Sequence, residues 1–194
     1  MKIKQQAGFS LIEVLISIFV LTLGVIGTAG MQLVAMRTSQ QSSLQSAAVQ
    51  LATEMADKMR SNSTQMNQAD ATNPFLFSHD SATDAQPDAP AGVCYVGEDE
   101  CTAAEMAAFD IFEWTMRLRE LPGGRVAICR DASPWSATDG ALAWPCAYGA
   151  ATANNAPFVI KVGWQGKNPD GSLIRDANRQ FPPSIAVTVE PYVR

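Results

Sequence analysis

The apolar positions fall into three regimes along the chain. From Val14 to Met36 there is no charged residue, and apolar side chains run all round any helix drawn through the stretch. At about 1.5 Å per residue it makes a rod of roughly 35 Å, long enough to cross a bilayer core. From Arg37 to Arg60 the pattern becomes one-sided. Leu44, Ala48, Leu51, Met55 and Met59 recur at helical spacing, while Gln45, Gln50, Thr53, Asp57 and Lys58 fall elsewhere on the wheel. That interval holds neither Pro nor Gly, so one helix over residues 9–61 is predicted, about 80 Å long if unbroken. Gly24, Gly27 and Gly30 each cost up to about 1 kcal/mol of helix propensity against Ala, which leaves continuity there open.

Beyond residue 61 the pattern shortens. Residues 62–92 are rich in Asn, Ser, Thr, Asp, Ala and Pro around one apolar island, Phe75-Leu-Phe77, and read as a surface loop. Thr102-Ala-Ala-Glu105 is a capping-box signal for a second helix. Ala107, Ile111, Trp114, Leu118 and Leu121 form its apolar stripe, and Pro122-Gly123-Gly124 ends it. Asp110 and Glu113 share one face of that helix, an ordinary spacing on a surface helix rather than a catalytic pair. Val126–Cys129, Phe158–Trp164 and Ser184–Glu190 read as strands of an antiparallel sheet, separated by a Trp-rich excursion and by the Asn168-Pro-Asp-Gly171 turn. The predicted class is α+β: a long N-terminal helix, a second helix and a small antiparallel head.

Charge and cysteines add the compartment. The net charge is −5 with no basic stripe, which argues against a nucleic-acid footprint. Lys2 and Lys4 precede the span and place the leader on the cytoplasmic side. All four cysteines, Cys94, Cys101, Cys129 and Cys146, lie beyond the span, as expected of an exported head with two disulfides. Three connectivities are open; Cys94–Cys101 with Cys129–Cys146 is favoured because each closes a short loop. No C-x2-C spacing exists and His79 is the only histidine, so neither a zinc site nor any other cofactor is expected. No catalytic motif is present, and the chain is not read as an enzyme. Asn62-Ser-Thr64 fits a glycosylation triplet. Trp135, Trp144 and Trp164 could form a sugar platform, although core or interface is the commoner role of such residues.

The N-terminal stretch admits three readings. A secretory signal has a shorter apolar run of about 7–15 residues. A plain anchor leaves Glu13 as an unexplained cost in hydrocarbon. The third rests on Gly8-Phe9-Ser-Leu-Ile-Glu13 behind a basic leader, which closely resembles the processing motif of type IV pilins and type II secretion pseudopilins. The block Ala107-Ala-Phe109-Asp110-Ile-Phe-Glu-Trp114, following a cysteine loop and preceding Leu121-Pro-Gly-Gly124, resembles the PilV family of type IV pilus modification proteins, which are minor pilins.

The resemblance implies a ladle-like pilin fold. It divides the chain into a leader (1–8), a transmembrane half-helix (9–36), an amphipathic half-helix (37–61) and a periplasmic head (62–194). It implies cleavage after Gly8 by prepilin peptidase and methylation of the new amine on Phe9. Glu13 of an incoming subunit would pair with the Phe9 amine of a neighbour. The implied partners are other minor and major pilins, the inner-membrane assembly platform and a tip adhesin. The implied location is the inner membrane, single-pass, and then the pilus. The alternatives are a minor pseudopilin of type II secretion and a membrane-anchored periplasmic binding domain.

Overall fold

The structure is a computed structural model and describes every residue except 1–9, 91, 93, 95–100, 149–155, 169, 176–178 and 191–194. Its elements in order are α1 (Leu11–Ser61), α2 (Ser63–Met66), β1 (Ser78–Asp80), α3 (Ala103–Leu118), β2 (Arg125–Arg130), β3 (Trp135–Ser136), β4 (Ala141–Leu142), β5 (Phe158–Gly163) and β6 (Ile185–Val189). A long N-terminal helix followed by an antiparallel-sheet head is the α+β class expected from the sequence. The chain divides into two compact units, residues 1–40 and 41–194.

In the first unit α1 is helical through Gly24, Gly27 and Gly30 without a break. The hydroxyls of Ser17, Thr22, Thr28 and Thr38 donate to carbonyls three or four residues back, at 2.7–3.0 Å. This local bonding removes the cost of carrying a hydroxyl in an apolar stretch.

The second unit forms a core where the one-sided pattern predicted one. Ala48, Leu51, Ala52, Met55, Ala56 and Met59 of α1 are buried, and Leu44 is half-buried against them. They share a cluster with Trp114 and Leu118 of α3 and with Val126, Ile128, Phe158, Ile160, Val162 and Val189 of the sheet. Trp114 is fully buried, and its indole N–H donates to the Leu51 carbonyl at 2.7 Å, so its polar atom is satisfied inside the core.

The sheet has the order β1-β2-β5-β6, all antiparallel. Register assigns the two faces. Val126, Ile128, Ile160 and Val162 point at the helices, while Ala127 pairs with Lys161 and Cys129 with Val159 on the opposite face. That second face is covered by residues 131–147, a ribbon that includes the β3–β4 hairpin. Trp144 of the ribbon lies so close to Gly163 that a Cβ there would sit 2.8 Å from its ring, so β5 needs glycine at that position. Double coverage explains why all six residues of β5 are buried rather than alternating.

Two expectations are corrected. Residues 62–92 are not simply a surface loop. They contain α2 and β1, and they bury Met66 and Phe75. Asn73 donates to the Met66 carbonyl at 2.9 Å and accepts from the Phe75 N–H at 3.0 Å, a side-chain turn that tucks the aromatic ring into the core. Asp110 is also not an ordinary surface residue. It is buried on α3 and forms an ion pair with Lys58 of α1.

Removing the Trp114 ring tests this packing. Trp114→Ala is expected to destabilise the head by about 3–5 kcal/mol, against less for Trp114→Phe, in urea unfolding followed by circular dichroism.

Candidate functional site

The first unit carries the chemistry that the sequence singled out. Leu11, Ile12, Leu15, Phe19, Leu21, Val25 and Ile26 are all exposed, Leu11 by 85%. The helix is long and apolar enough to cross a membrane. The space a Cβ would fill at Gly24, Gly27 and Gly30 is open among the described residues. Glu13 lies in the first turn of α1. Its N–H and that of Val14 donate to the Ser10 carbonyl at 3.0 and 3.3 Å, and its own carbonyl accepts from Ser17 Oγ at 2.7 Å. A carboxylate in the first turn is favoured by the unsatisfied N–H groups there. Glu13 is the only acidic residue between Ser10 and Gln40. Gly8 and Phe9 lie outside the described residues.

The cysteines pair as Cys94 with Cys101 and Cys129 with Cys146, with Cα atoms 5.7 and 6.3 Å apart. The first bridge closes the loop just before α3, whose start is fixed by the Thr102–Glu105 capping box. Thr102 N–H donates to Glu105 at 2.8 Å and lowers the pKa of that carboxyl.

Several side chains in the head make polar contacts that their sequence context did not reveal. Arg117 of α3 grips both carboxylate oxygens of Glu54 of α1, one at 2.6 Å, and this hydrogen bonding holds the Glu54 carboxyl below its ordinary range. Beside it Lys58 pairs with Asp110, so two cross-helix ion pairs fix the rotation of α3 on α1. On the other side of the sheet, Lys161 and Asp131 form an ion pair in which neither side chain is exposed at all. The signal for this buried pair was present as a lone lysine inside Phe158–Gly163, an otherwise apolar strand.

Other candidates from the sequence are not brought together. Trp144 and Trp164 are buried, and only Trp135 is exposed, at 56%, so the three form no shared platform. Trp144 instead donates its indole N–H to the Phe181 carbonyl at 2.5 Å and stacks under Arg125, whose guanidinium lies 4.4 Å from the ring centre. Asn62 is buried, donates to the Ala103 carbonyl at 2.6 Å and caps α2, which removes it from the reach of a glycosylating enzyme in the folded head. Among the described residues no three His, Cys, Asp or Glu side chains converge as metal ligands would.

Comparison with known families gives two matches. Residues 30–112 match the family model described as type IV pilin Tt1218, and residues 3–29 match the prokaryotic N-terminal methylation motif. Together they support a type IV pilin. Neither a curated protein nor a solved structure gave a match.

His79, on β1, provides a pH test of the head. Its Nε2 lies 3.2 Å from Arg119 Nη1, a contact that only a neutral imidazole can accept. Burial lowers its pKa from 6.5; Arg119 adds to the shift, and Asp84 and Asp80 oppose it. A depressed folded-state pKa means that the unfolded chain binds the proton first. The His79 contribution is therefore full above pH 6.5 and is lost as pH falls through the lowered value. His79→Gln should flatten the stability slope between pH 6.5 and the carboxylate range, measured by urea midpoints across that interval.

Proposed function

We propose that the chain is a minor type IV pilin. It is cut after Gly8, methylated on Phe9, held in the inner membrane by residues 9–36 and then built into a pilus. In this reading residues 37–61 join the head, and residues 62–194 form the periplasmic part of the subunit. The observation that carries it is the exposed apolar N-terminal half of α1 with one carboxylate, Glu13, in its first turn, within a match to the methylation motif. A carboxylate in hydrocarbon costs a few kcal/mol unless it finds a partner. Cleavage supplies a cation four residues upstream. Unit charges about 4 Å apart attract by roughly 4 kcal/mol at an effective dielectric near 20.

Assembly transfers the same helix from lipid to a bundle of similar helices. The open notches at Gly24, Gly27 and Gly30 suit close approach of another helix there. The partners are then prepilin peptidase, other minor and major pilins, the assembly platform and a tip adhesin. The resemblance of residues 94–128 to the PilV family favours a subunit that starts or caps the fibre rather than forming its bulk.

Two measurements test this. Mass spectrometry of the protein from cells with active prepilin peptidase should find a terminus at N-methyl-Phe9, and Gly8→Val should leave the chain at full length. An intact Met1 terminus in the unmutated protein overturns the reading. Glu13→Gln should still be cleaved but should enter fibres at least about tenfold more slowly, a difference of about 1.4 kcal/mol. Fibre formation at the normal rate would remove the electrostatic role of Glu13.

A further inference from the structure

The ribbon over the second face of the sheet, residues 131–147, begins just after Cys129 and carries Cys146 next to its end. Between these points Lys161 reaches up from the centre of β5. Its ammonium donates to the carbonyls of Ala143 at 2.7 Å and Pro145 at 2.9 Å, lies 3.4 Å from that of Trp144, and pairs with Asp131 Oδ2. The other Asp131 oxygen accepts from the Ser133 and Ala147 N–H groups at 2.8 and 3.3 Å. One buried cation and one buried anion thus bind the ribbon at both ends. They hold the residues immediately before and after Cys146, and the residue two positions after Cys129. Register places Lys161 beside Val159, the direct partner of Cys129, on the face that the ribbon covers. Cys146 itself is exposed.

We propose that the Lys161–Asp131 pair is a positioning device that seats Cys146 against Cys129 before oxidation and so selects which thiols join. The ammonium does for this ribbon what a bound metal ion does for a loop: it gathers carbonyl oxygens and a carboxylate around one charge. With the ribbon seated, one cysteine thiolate attacks an external disulfide such as oxidised glutathione and releases one reduced glutathione. The second thiolate then attacks the mixed disulfide, forms Cys129–Cys146 and releases the other. Without the pair the Cys146 end keeps the Trp144 anchor and the Ala132–Ala147 backbone bond but loses the groups that fix it over Cys129, and Cys94 and Cys101 compete for the same partners.

The experiment is oxidative refolding of the fully reduced full-length chain in detergent, with reduced and oxidised glutathione, followed by peptide mapping. The unmutated chain should give Cys94–Cys101 with Cys129–Cys146 as the dominant species. Lys161→Met, which keeps length and apolar volume, should lower that species toward the share of about one third expected when four thiols pair at random. Native pairing at an unchanged rate in Lys161→Met overturns the proposal. Should that variant not fold, the bridge is removed instead with Cys129→Ser and Cys146→Ser together. Slow hydrogen exchange at the Ser133 and Ala147 amides is then expected, because the ion pair seats the ribbon by itself. Fast exchange at both would mean that the bridge holds the ribbon, which also overturns the proposal.

Discussion

One helix must satisfy two different surroundings, and this constraint governs most of the chain. Over residues 14–36, α1 carries apolar side chains on every side, and its large apolar side chains are exposed. Over residues 41–61 the same helix is apolar on one side only, and that side is buried by its own head. The small residues Ala48, Ala52 and Ala56 alternate there with Leu51, Met55 and Met59. The alanines let the neighbouring elements approach, and the flexible methionines fill the gaps that remain. The division falls where the sequence passes from uninterrupted apolar to striped.

Because the distal stripe is the floor of the core, the head is organised around it. The cross-helix pairs Glu54–Arg117 and Lys58–Asp110 fix the rotation of α3 on α1, and rotation decides whether Trp114 meets the Leu51 carbonyl. Each pair is partly exposed and weak as a source of stability. Their contribution is to choose one docking angle among the several that an apolar surface alone would accept. The exposed apolar half has no such polar determinants in its middle. Its one carboxylate, Glu13, stands in the first turn.

Periodicity made the two long helices, the three longer strands and the helical stripe legible. These features arise from burial on one face, and burial on one face leaves a repeating mark. Features that depend on two sides at once were not legible. β5 reads as a partly alternating strand because nothing local says that a ribbon will return over its second face. Met66, Phe75 and β1 were hidden in a polar stretch because their burial depends on turns built from single side chains such as Asn73. Asp110 was misread for a related reason: helix spacing places it beside Glu113, but only the approach of α1 gives it Lys58. The motif residues at the N-terminus were legible through resemblance, a different kind of information from the pattern of burial.

The buried pair on the second face raises a question of selection. Exchanging such a pair for well-packed apolar residues is often neutral or stabilising, because desolvating two charges offsets most of their attraction. Stability alone is therefore a poor reason to keep Lys161 and Asp131 inside. Geometry is a better one. An apolar contact would tolerate the ribbon at several offsets, whereas an ammonium seeking three oxygens and a carboxylate seeking two N–H groups fit in one arrangement. In a turn-rich ribbon whose apolar side chains are mostly alanines, with Trp144 as its one large buried anchor, much of the direction has to come from hydrogen bonds. The pair supplies that direction where an aliphatic replacement could supply only affinity.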